Sequence, residues 1–596
     1  MCRISGIIDR TQEIASLRNE VETMSKTLRR GGPDDEGIYV NEEEKLVFGH
    51  RRLSLIDLSP LGHQPMSYQS SRFYITYNGE LYNYKQLKEQ LAALGHTFHT
   101  RSDTEVVLAS FAQWGIKAFE RFNGMFAFAL WDNLNKKVYL VRDGSGIKPL
   151  YYSITNKRLV FASEVRAFKS IGVKEKDTNA EIYLMAYGHI PEPTTTLKGV
   201  SMLPKGSVLT FDANSGDWKI NSYTHYSYLE KISDKETAKN LIRETFQLAI
   251  ERHLISDAAI GVFLSGGLDS SIIASLANKQ NKKGLNTLSI YFDEHEYSEK
   301  KYQDILINEL SCNHSQFLLK EDDFRKYLPT IIEDMDLPSC DGINTWFISK
   351  FAKESGLKAV LSGIGGDEIF GGYPSFDRMK LLYFLNLSPK VLLRAGRFST
   401  NKKARRLGYL TIDGSKGKYL FLRGQFIPNE IAKYLGANES EVWNILDSQP
   451  ELPDINYLST PNQASWLEMN LYMQNQLLRD ADVMSMNHGI EIRVPFLDKE
   501  FLELSLQISS HLKYHGQHPK QLLIDTFKDI IPRQIWDRPK MGFSFPFKEW
   551  MMKNTFVKEQ LNGNSRSSSH YYKFTEGKLH WSQLMTLLVA KEQSNA

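Results

Sequence analysis

The chain predicts two domains, an α+β unit followed by an α/β unit, on three observations. Its 596 residues are too many for one hydrophobic core. Strand-like pieces punctuated by turn signals run to about residue 230, among them Pro191-Glu192-Pro193, Pro204-Lys205-Gly206 and Asn214-Ser215-Gly216. From near Lys235 strand and helix patterns alternate, the mark of a mainly parallel sheet. The expected division is 2–215 for the first domain, 216–234 for a linker and 235–596 for the second.

Whole-chain properties narrow the function classes. Lys and Arg number 73 against 70 Asp and Glu, a formal net charge of +3, so the balance calls for neither nucleic acid nor a membrane as partner. No stretch approaches the length of a transmembrane helix, and Arg3 and Asp9-Arg10 break the first apolar run, which argues against a signal peptide. Cys2, Cys312 and Cys340 make no disulfide framework and have no partners at zinc spacing; a reducing cytoplasm is expected.

The first domain opens with Met1-Cys2-Arg3-Ile4-Ser5-Gly6-Ile7-Ile8, a strand that starts on a thiol. Loss of Met1 would give Cys2 a free α-amine beside its sulfur. Such an amine, with a reference pKa of about 8, can serve as an intramolecular base near neutrality. Downstream come Gly32-Pro33-Asp34-Asp35-Glu36-Gly37, Gly49-His50-Arg51-Arg52-Leu53-Ser54, Tyr77-Asn78-Gly79-Glu80-Leu81-Tyr82-Asn83 and Arg101-Ser102-Asp103-Thr104-Glu105. Phe122-Asn123-Gly124-Met125-Phe126 and Arg142-Asp143, then Gly146-Ile147-Lys148-Pro149-Leu150-Tyr151-Tyr152, follow in order. This ordered set resembles the class II glutamine amidotransferases over roughly the first two hundred residues, and the resemblance implies an Ntn-hydrolase αββα sandwich that hydrolyses glutamine.

The chemistry can be argued beside the resemblance. Glutamine carries an α-carboxylate and an α-ammonium, so its pocket needs a fixed charge of each sign. Arg51 offers a planar donor fork to the carboxylate. Asp103, helped by Glu80, would hold the ammonium. Thiolate attack on the side-chain amide builds an oxyanion, to which Asn78 and the Gly79 backbone N–H are suitable donors. Asn78-Gly79 also reads as a hairpin turn. Two departures from the family pattern, Arg30-Gly31-Gly32-Pro33-Asp34 and Gly144-Ser145-Gly146, spare the nucleophile and the glutamine clamp and predict loop changes at the domain contact.

In the second domain the apolar run Ala258 to Leu264 reads as a buried strand, Gly266-Gly267 as a tight turn and Ser270-Ser271 as the opening of a helix. A strand, a glycine turn and a helix N-terminus make an anion site. Asp269 would be repelled by a phosphate and suits instead a Mg²⁺ that the phosphate holds. The loop lacks the GK[ST] ending of a γ-phosphoryl-transfer loop. Ser265-Gly266-Gly267-Leu268-Asp269-Ser270 resembles the pyrophosphate loop of ATP pyrophosphatases. Ser362-Gly363-Ile364-Gly365-Gly366-Asp367-Glu368, again after an apolar strand, is similar to the second nucleotide and Mg²⁺ loop of the asparagine synthetase family.

That resemblance spans nearly the whole chain and implies an α/β ATP-pyrophosphatase domain that takes ATP and Mg²⁺. It implies nucleotide contacts at Leu264, Ser265, Gly266, Gly267, Asp269, Ser270, Ile290, Ser362 and Gly363, metal ligands in Asp269 and Asp367, and a phosphate-binding Lys540 within Arg538-Pro539-Lys540-Met541-Gly542-Phe543. Met335-Asp336-Leu337-Pro338 and Asp341-Gly342-Ile343 fall on its acceptor side, with Asp336 open to reading as a turn residue. Glu491, Arg493 and Asp498 read as braces between domains. Residues 378–406 carry nine bases and no acid, a solvated helix face or a contact for an anionic acceptor.

The expected reaction adenylates a carboxylate acceptor and amidates it with ammonia from glutamine. Aspartate is the acceptor that the resemblance implies, and a homodimer is a family expectation. Family members that make asparagine carry Glu where this chain has Ile364, which keeps open a paralogue acting on another carboxylate, such as a uronic acid of a surface-polysaccharide precursor. A non-catalytic nutrient-binding protein is the reading from a different class.

Overall fold

The computed structural model describes residues 2–280, 284–385, 389–542, 545–562 and 565–595; Met1 and Phe543 lie outside them. In the first domain the strands are β1 (Cys2–Ile8), β2 (Asp35–Asn41), β3 (Leu46–Arg52), β4 (Met66–Tyr68), β5 (Phe73–Leu81) and β6 (Gly124–Asp132). They continue as β7 (Lys137–Arg142), β8 (Tyr151–Thr155), β9 (Arg158–Ala162), β10 (Ser201–Met202), β11 (Ser207–Asp212) and β12 (Trp218–Ser222). Two six-stranded antiparallel sheets result, ordered β10-β8-β9-β1-β3-β2 and β12-β11-β7-β6-β5-β4.

Period-two alternation builds the layers. Ile4 and Ile8 of β1 and Phe48 of β3 meet Ala127, Trp131 and Leu140 of the other sheet in a core between the two. The odd residues turn the other way. Ile7 and Val47 pack on Leu17, Val21 and Met24 of helix α1 (Ile14–Thr27). Helices α2 (Tyr84–Ala93) and α3 (Asp103–Trp114) cover the second sheet through Leu87, Leu91, Val106 and Val107. The order of layers is αββα, the sandwich that the resemblance implies.

The expected boundary at 215 is corrected. Asn214-Ser215-Gly216, with Gly216 at φ +78°, turns β11 into β12, which pairs back on it from Trp218 to Ser222. The turn signal marks a hairpin inside the sheet, and the connection between domains begins after Ser222.

The second domain holds β13 (Ile260–Phe263), β14 (Leu285–Tyr291), β15 (Cys312–Leu318), β16 (Ala359–Leu361) and β17 (Glu491–Arg493) in one parallel sheet ordered β15-β14-β13-β16-β17. Successive strands leave β13 in opposite directions, so the crevice between β13 and β16 is the switch point where such sheets bind ligands. Both predicted nucleotide loops emerge there.

Most bases of the 378–406 run are engaged locally. Arg397 lies 3.8 Å over the Trp443 ring, Arg406 donates to the Phe421 carbonyl, and Lys402 and Arg405 pair with Glu430 and Glu439. These contacts support a packed helical layer rather than an acceptor surface.

A buried ionic seam joins the domains. Arg3 pairs with Glu164 at 2.6 Å and with Asp482 at 2.8 Å, and Asp482 also receives Lys148 at 3.0 Å. Asp336 accepts from the Val165 and Arg166 N–H groups at 2.7 and 2.8 Å. It is thus a cap across the seam, and both of its oxygens are engaged away from an acceptor. Arg30 of the departed loop reaches Asp334 at 2.5 Å, and Asp34 receives Lys358 at 2.7 Å, so that loop change does lie at the domain contact.

Candidate active site

The first site forms at the mouth of the sandwich. Cys2, an even-numbered residue of β1, faces the opposite sheet and is buried. Its backbone N–H donates to Asn78 Oδ1 at 3.1 Å. Asn78 and Gly79 are in the unbroken run of β5, paired with Ala127 and Phe126, so the hairpin reading is corrected. The Asn78 Nδ2 is buried and has no hydrogen-bond partner among the described residues. An orphaned donor of this kind costs stability unless a ligand uses it. At Gly79 a Cβ would come within 2.3 Å of the Met125 carbonyl oxygen, which explains the glycine.

Cys2, Arg52, Gly79, Glu80 and Asp103 line one cavity. Arg51 is not among the lining residues. Strand parity decides this: Cys2 pairs with Arg52 across β1 and β3, and the even face of β3 also carries Phe48 and His50, whose Nδ1 lies 3.0 Å from Thr76 Oγ1 of the other sheet. Arg51 points to the odd face, where its Nε donates to the Ser25 carbonyl of α1 and its guanidinium pairs with Glu36. The expectation for Arg51 passes to its neighbour. Arg52 donates to the Asp57, Ser59 and Ile56 carbonyls at 2.5, 3.2 and 3.4 Å. Three of five N–H donors are thereby engaged, leaving two for a carboxylate.

Across the cavity Asp103, at the first turn of α3, accepts from the Leu81 N–H at 2.9 Å. Burial raises the Asp103 and Glu80 pKa values, that of Glu80 well above the carboxylate range despite Arg493. An ammonium arriving between them would favour their charged forms. Burial likewise pushes the Cys2 thiol up, opposed by the Leu53 N–H that bonds it.

The second site lies in the β13/β16 crevice. Gly266 needs its φ of +82° for the turn, and the helix Leu268–Gln280 begins two residues earlier than the sequence suggests. Ser265 Oγ and Ser270 Oγ lie 3.0 Å apart and cover the amides of Gly267 and Ser265 at 3.2 and 3.3 Å. Leu264 donates to the Leu288 carbonyl. Ile290, on the same strand edge, extends past the end of β13, and its carbonyl accepts from Gln303 Nε2 at 3.1 Å. The two loops touch closely: Cβ atoms at Gly363 and Gly366 would lie 3.0 and 2.7 Å from the Asp269 side chain. Ser362 donates to the Arg493 carbonyl of β17 at 2.8 Å.

Asp269 and Asp367 converge on one cation, the Nζ of Lys520. Lys540 reaches Asp367 at 2.7 Å and the Gly372 carbonyl at 2.8 Å. Burial works against charge on Asp367, yet Lys520 and Lys540 together keep its pKa below the usual range. Sequence reasoning missed Lys520, which lies over 150 residues from either loop and in no motif. No group of three or more His, Cys, Asp or Glu side chains that could by themselves hold a metal ion occurs among the described residues. Two carboxylates in a phosphate loop fit a Mg²⁺ whose other ligands are phosphate and water, a metal that usually keeps such ligands.

Charged groups link the first cavity to β17 of the second domain. Arg493 of β17 pairs with Glu491 at 2.5 Å, approaches Glu80 of the first cavity at 3.5 Å, and donates to the His253 and Ile255 carbonyls. Asp498 holds Arg252 at 2.7 Å and Asn123 at 3.2 Å. Of the three predicted braces, Arg493 and Asp498 reach Glu80 and Asn123 of the first domain, and Glu491 holds Arg493 from the same strand.

Two sequence profiles match this chain: Asparagine synthase over residues 241–584 and Glutamine amidotransferase domain over residues 1–224. The chain belongs to the glutamine-hydrolysing asparagine synthase family. Asparagine synthetase [glutamine-hydrolyzing] 1 of Bacillus subtilis is 30% identical over 572 residues, covering 92% of this chain and 88% of the relative. Asparagine synthetase [glutamine-hydrolyzing] 3 of the same organism is 30% identical over 573 residues, 91% and 87% of the two chains. A protein named Amidase chry2 from Gibberella zeae is 26% identical over 583 residues, 89% and 85%. As a member of this synthase family the chain is an ATP-dependent glutamine amidotransferase, and identities near 30% leave its acceptor open. Among the described residues no helix is long and apolar enough to cross a membrane.

Proposed function

We propose that this enzyme hydrolyses glutamine at Cys2 and uses the ammonia to amidate a carboxylate that ATP has activated at the Asp269/Asp367 site. The observation that carries the first half is the convergence of Cys2, Arg52, Gly79, Glu80 and Asp103 on one cavity beside Asn78. Arg52 would hold the glutamine α-carboxylate, and Asp103 with Glu80 the α-ammonium. The Cys2 sulfur attacks the side-chain amide; the orphaned Asn78 Nδ2 and the Gly79 N–H receive the oxyanion. Collapse of that intermediate expels ammonia and leaves a thioester that water cleaves to glutamate. With Met1 removed, the Cys2 amine is the base, oriented by Asn78 Oδ1.

In the second half, the acceptor carboxylate attacks the α-phosphorus of ATP and pyrophosphate leaves. Ammonia then attacks the acyl carbon and AMP leaves. Asp269 and Asp367 would hold Mg²⁺, which when bound neutralises the departing pyrophosphate. Lys540 adds a fixed positive charge. Ammonia is mostly protonated in neutral water, so a covered passage between the two sites would favour delivery of the free base. Three free thiols fit a reducing cytoplasm.

Aspartate is the acceptor we favour, since relatives named asparagine synthetase align over nine-tenths of the chain. One residue favours a second reading. Ile364 puts an apolar side chain in the second loop, next to Gly363 and Gly365, and a different carboxylate such as a uronic acid would meet it. Pyrophosphate release with ATP, Mg²⁺ and glutamine over a panel of acids separates the readings. Release with aspartate supports asparagine synthesis, release only with a sugar acid supports the paralogue, and none with any acid supports a nutrient-binding protein.

A further inference from the structure

The loops carrying Asp269 and Asp367 meet at a group that belongs to neither. Lys520 Nζ contacts Asp269 Oδ2 and Asp367 Oδ1 together, and no other polar partner of this amine is found among the described residues. The lysine precedes the helix Gln521–Phe527, is 6% exposed, and holds a left-handed backbone at φ +57°. A side chain that is neither glycine nor asparagine persists there when its surroundings over-determine it, and such positions gather at functional sites. Lys540, by contrast, pairs with Asp367 and the Gly372 carbonyl and lies 4.9 Å over the Tyr373 ring.

Two carboxylates this close repel unless a cation lies between them, more strongly in a buried crevice than in water. An ammonium draws oxygens to about 2.8 Å and a Mg²⁺ to about 2.1 Å, so one location between the same two oxygens cannot serve both. Charge decides when each is present. Asp269 and Asp367 are balanced by Lys520 and Lys540 before any ligand arrives, so a bare metal ion would have to displace the Lys520 ammonium from both of its polar partners among the described residues. A triphosphate brings new acceptors for it.

We propose that Lys520 is the resident counter-ion of the synthetase site: it occupies the metal position in the empty enzyme and turns onto phosphate oxygens when Mg²⁺ enters with ATP. Lys520 is then a positioning residue that makes metal entry conditional on nucleotide. This rests on the reading of Asp269 and Asp367 as metal carboxylates.

The test uses the full chain, MgCl₂ alone, and MgCl₂ with a non-hydrolysable ATP analogue, read by calorimetric titration and thermal melting. The wild-type chain should take up Mg²⁺ only with the analogue. Lys520→Met should melt lower in EDTA, regain that loss on Mg²⁺ alone at a concentration at least about tenfold below any wild-type response, and bind the analogue about tenfold more weakly. Lys520→Arg, which keeps the charge, should restore the wild-type pattern. Sub-millimolar Mg²⁺ binding by the wild-type chain without nucleotide would overturn the proposal, and that measurement does not depend on any variant folding. So would an unchanged Mg²⁺ response in Lys520→Met. If the wild-type chain binds no Mg²⁺ even with the analogue, the metal-carboxylate reading itself fails, and the proposal with it.

Discussion

Replacing Arg52 with Ala removes the only guanidinium among the described residues that lines the Cys2 cavity. Two of its N–H donors are free to meet a glutamine carboxylate once the Asp57, Ser59 and Ile56 carbonyls are served. Hydrogen bonds to charged groups contribute about 1.5–3 kcal/mol, and each 1.4 kcal/mol is about tenfold in an equilibrium constant. The KM for glutamine should therefore rise about ten- to a hundredfold. The neighbouring Arg51 pairs with Glu36, whose side chain is 66% exposed, and such pairs contribute about 0–1 kcal/mol. Arg51→Ala should shift the KM less than about fivefold. Glutamate formation at varied glutamine measures both. Arg52→Ala also frees three loop carbonyls, so ammonium-dependent pyrophosphate release serves as the control for a folded second domain. A larger KM effect from Arg51→Ala than from Arg52→Ala would refute the parity argument.

Other expectations follow from buried groups. Asn78→Ala removes the orphaned donor and should lower glutaminase kcat about 10²–10³-fold with little change in KM, read in the same assay. Arg3→Met leaves Glu164 and Asp482 facing each other in the seam and should cost about 3–5 kcal/mol in denaturant unfolding. Lys513 is fully buried, with Tyr228 and Tyr514 rings 5.3 and 5.1 Å away and no hydrogen-bond partner for its Nζ among the described residues; burial lowers its pKa to about 7. Its folded pKa is below the unfolded value, so its contribution to stability is present above about pH 10.4 and is lost as pH falls through 7. Lys513→Met should then be more stable than the wild-type chain by roughly 4–5 kcal/mol at pH 6, the gap closing toward pH 10. A gap that does not vary with pH would contradict this.

Much of the site was legible because motif residues lie on elements whose period the sequence declares. Cys2, Asn78 and Asp103 converge as expected, and both nucleotide loops leave adjacent strands. Arg51 and Arg52 illustrate the limit of a motif without a register. The doublet fixes the place, but only the pairing of Cys2 with Arg52, and the shared face of Phe48 and His50, selects the residue. That signal was present in β3 and needed parity to read. Asn214-Ser215-Gly216 is a turn in either reading; whether a turn ends a domain depends on a long-range ladder, here β11 on β12. Lys520 had no local signal, since its role comes from two loops it meets only in the folded chain. Asp336 is similar: its partners are backbone groups of the other domain.

The most direct test of the account is Cys2→Ala, with pyrophosphate release and amide product followed on glutamine and, separately, on ammonium chloride. The account predicts that glutamine no longer supports product while ammonium supports it at close to the wild-type rate. Continued synthesis from glutamine, or loss of the ammonium reaction in a chain that melts normally, would contradict it.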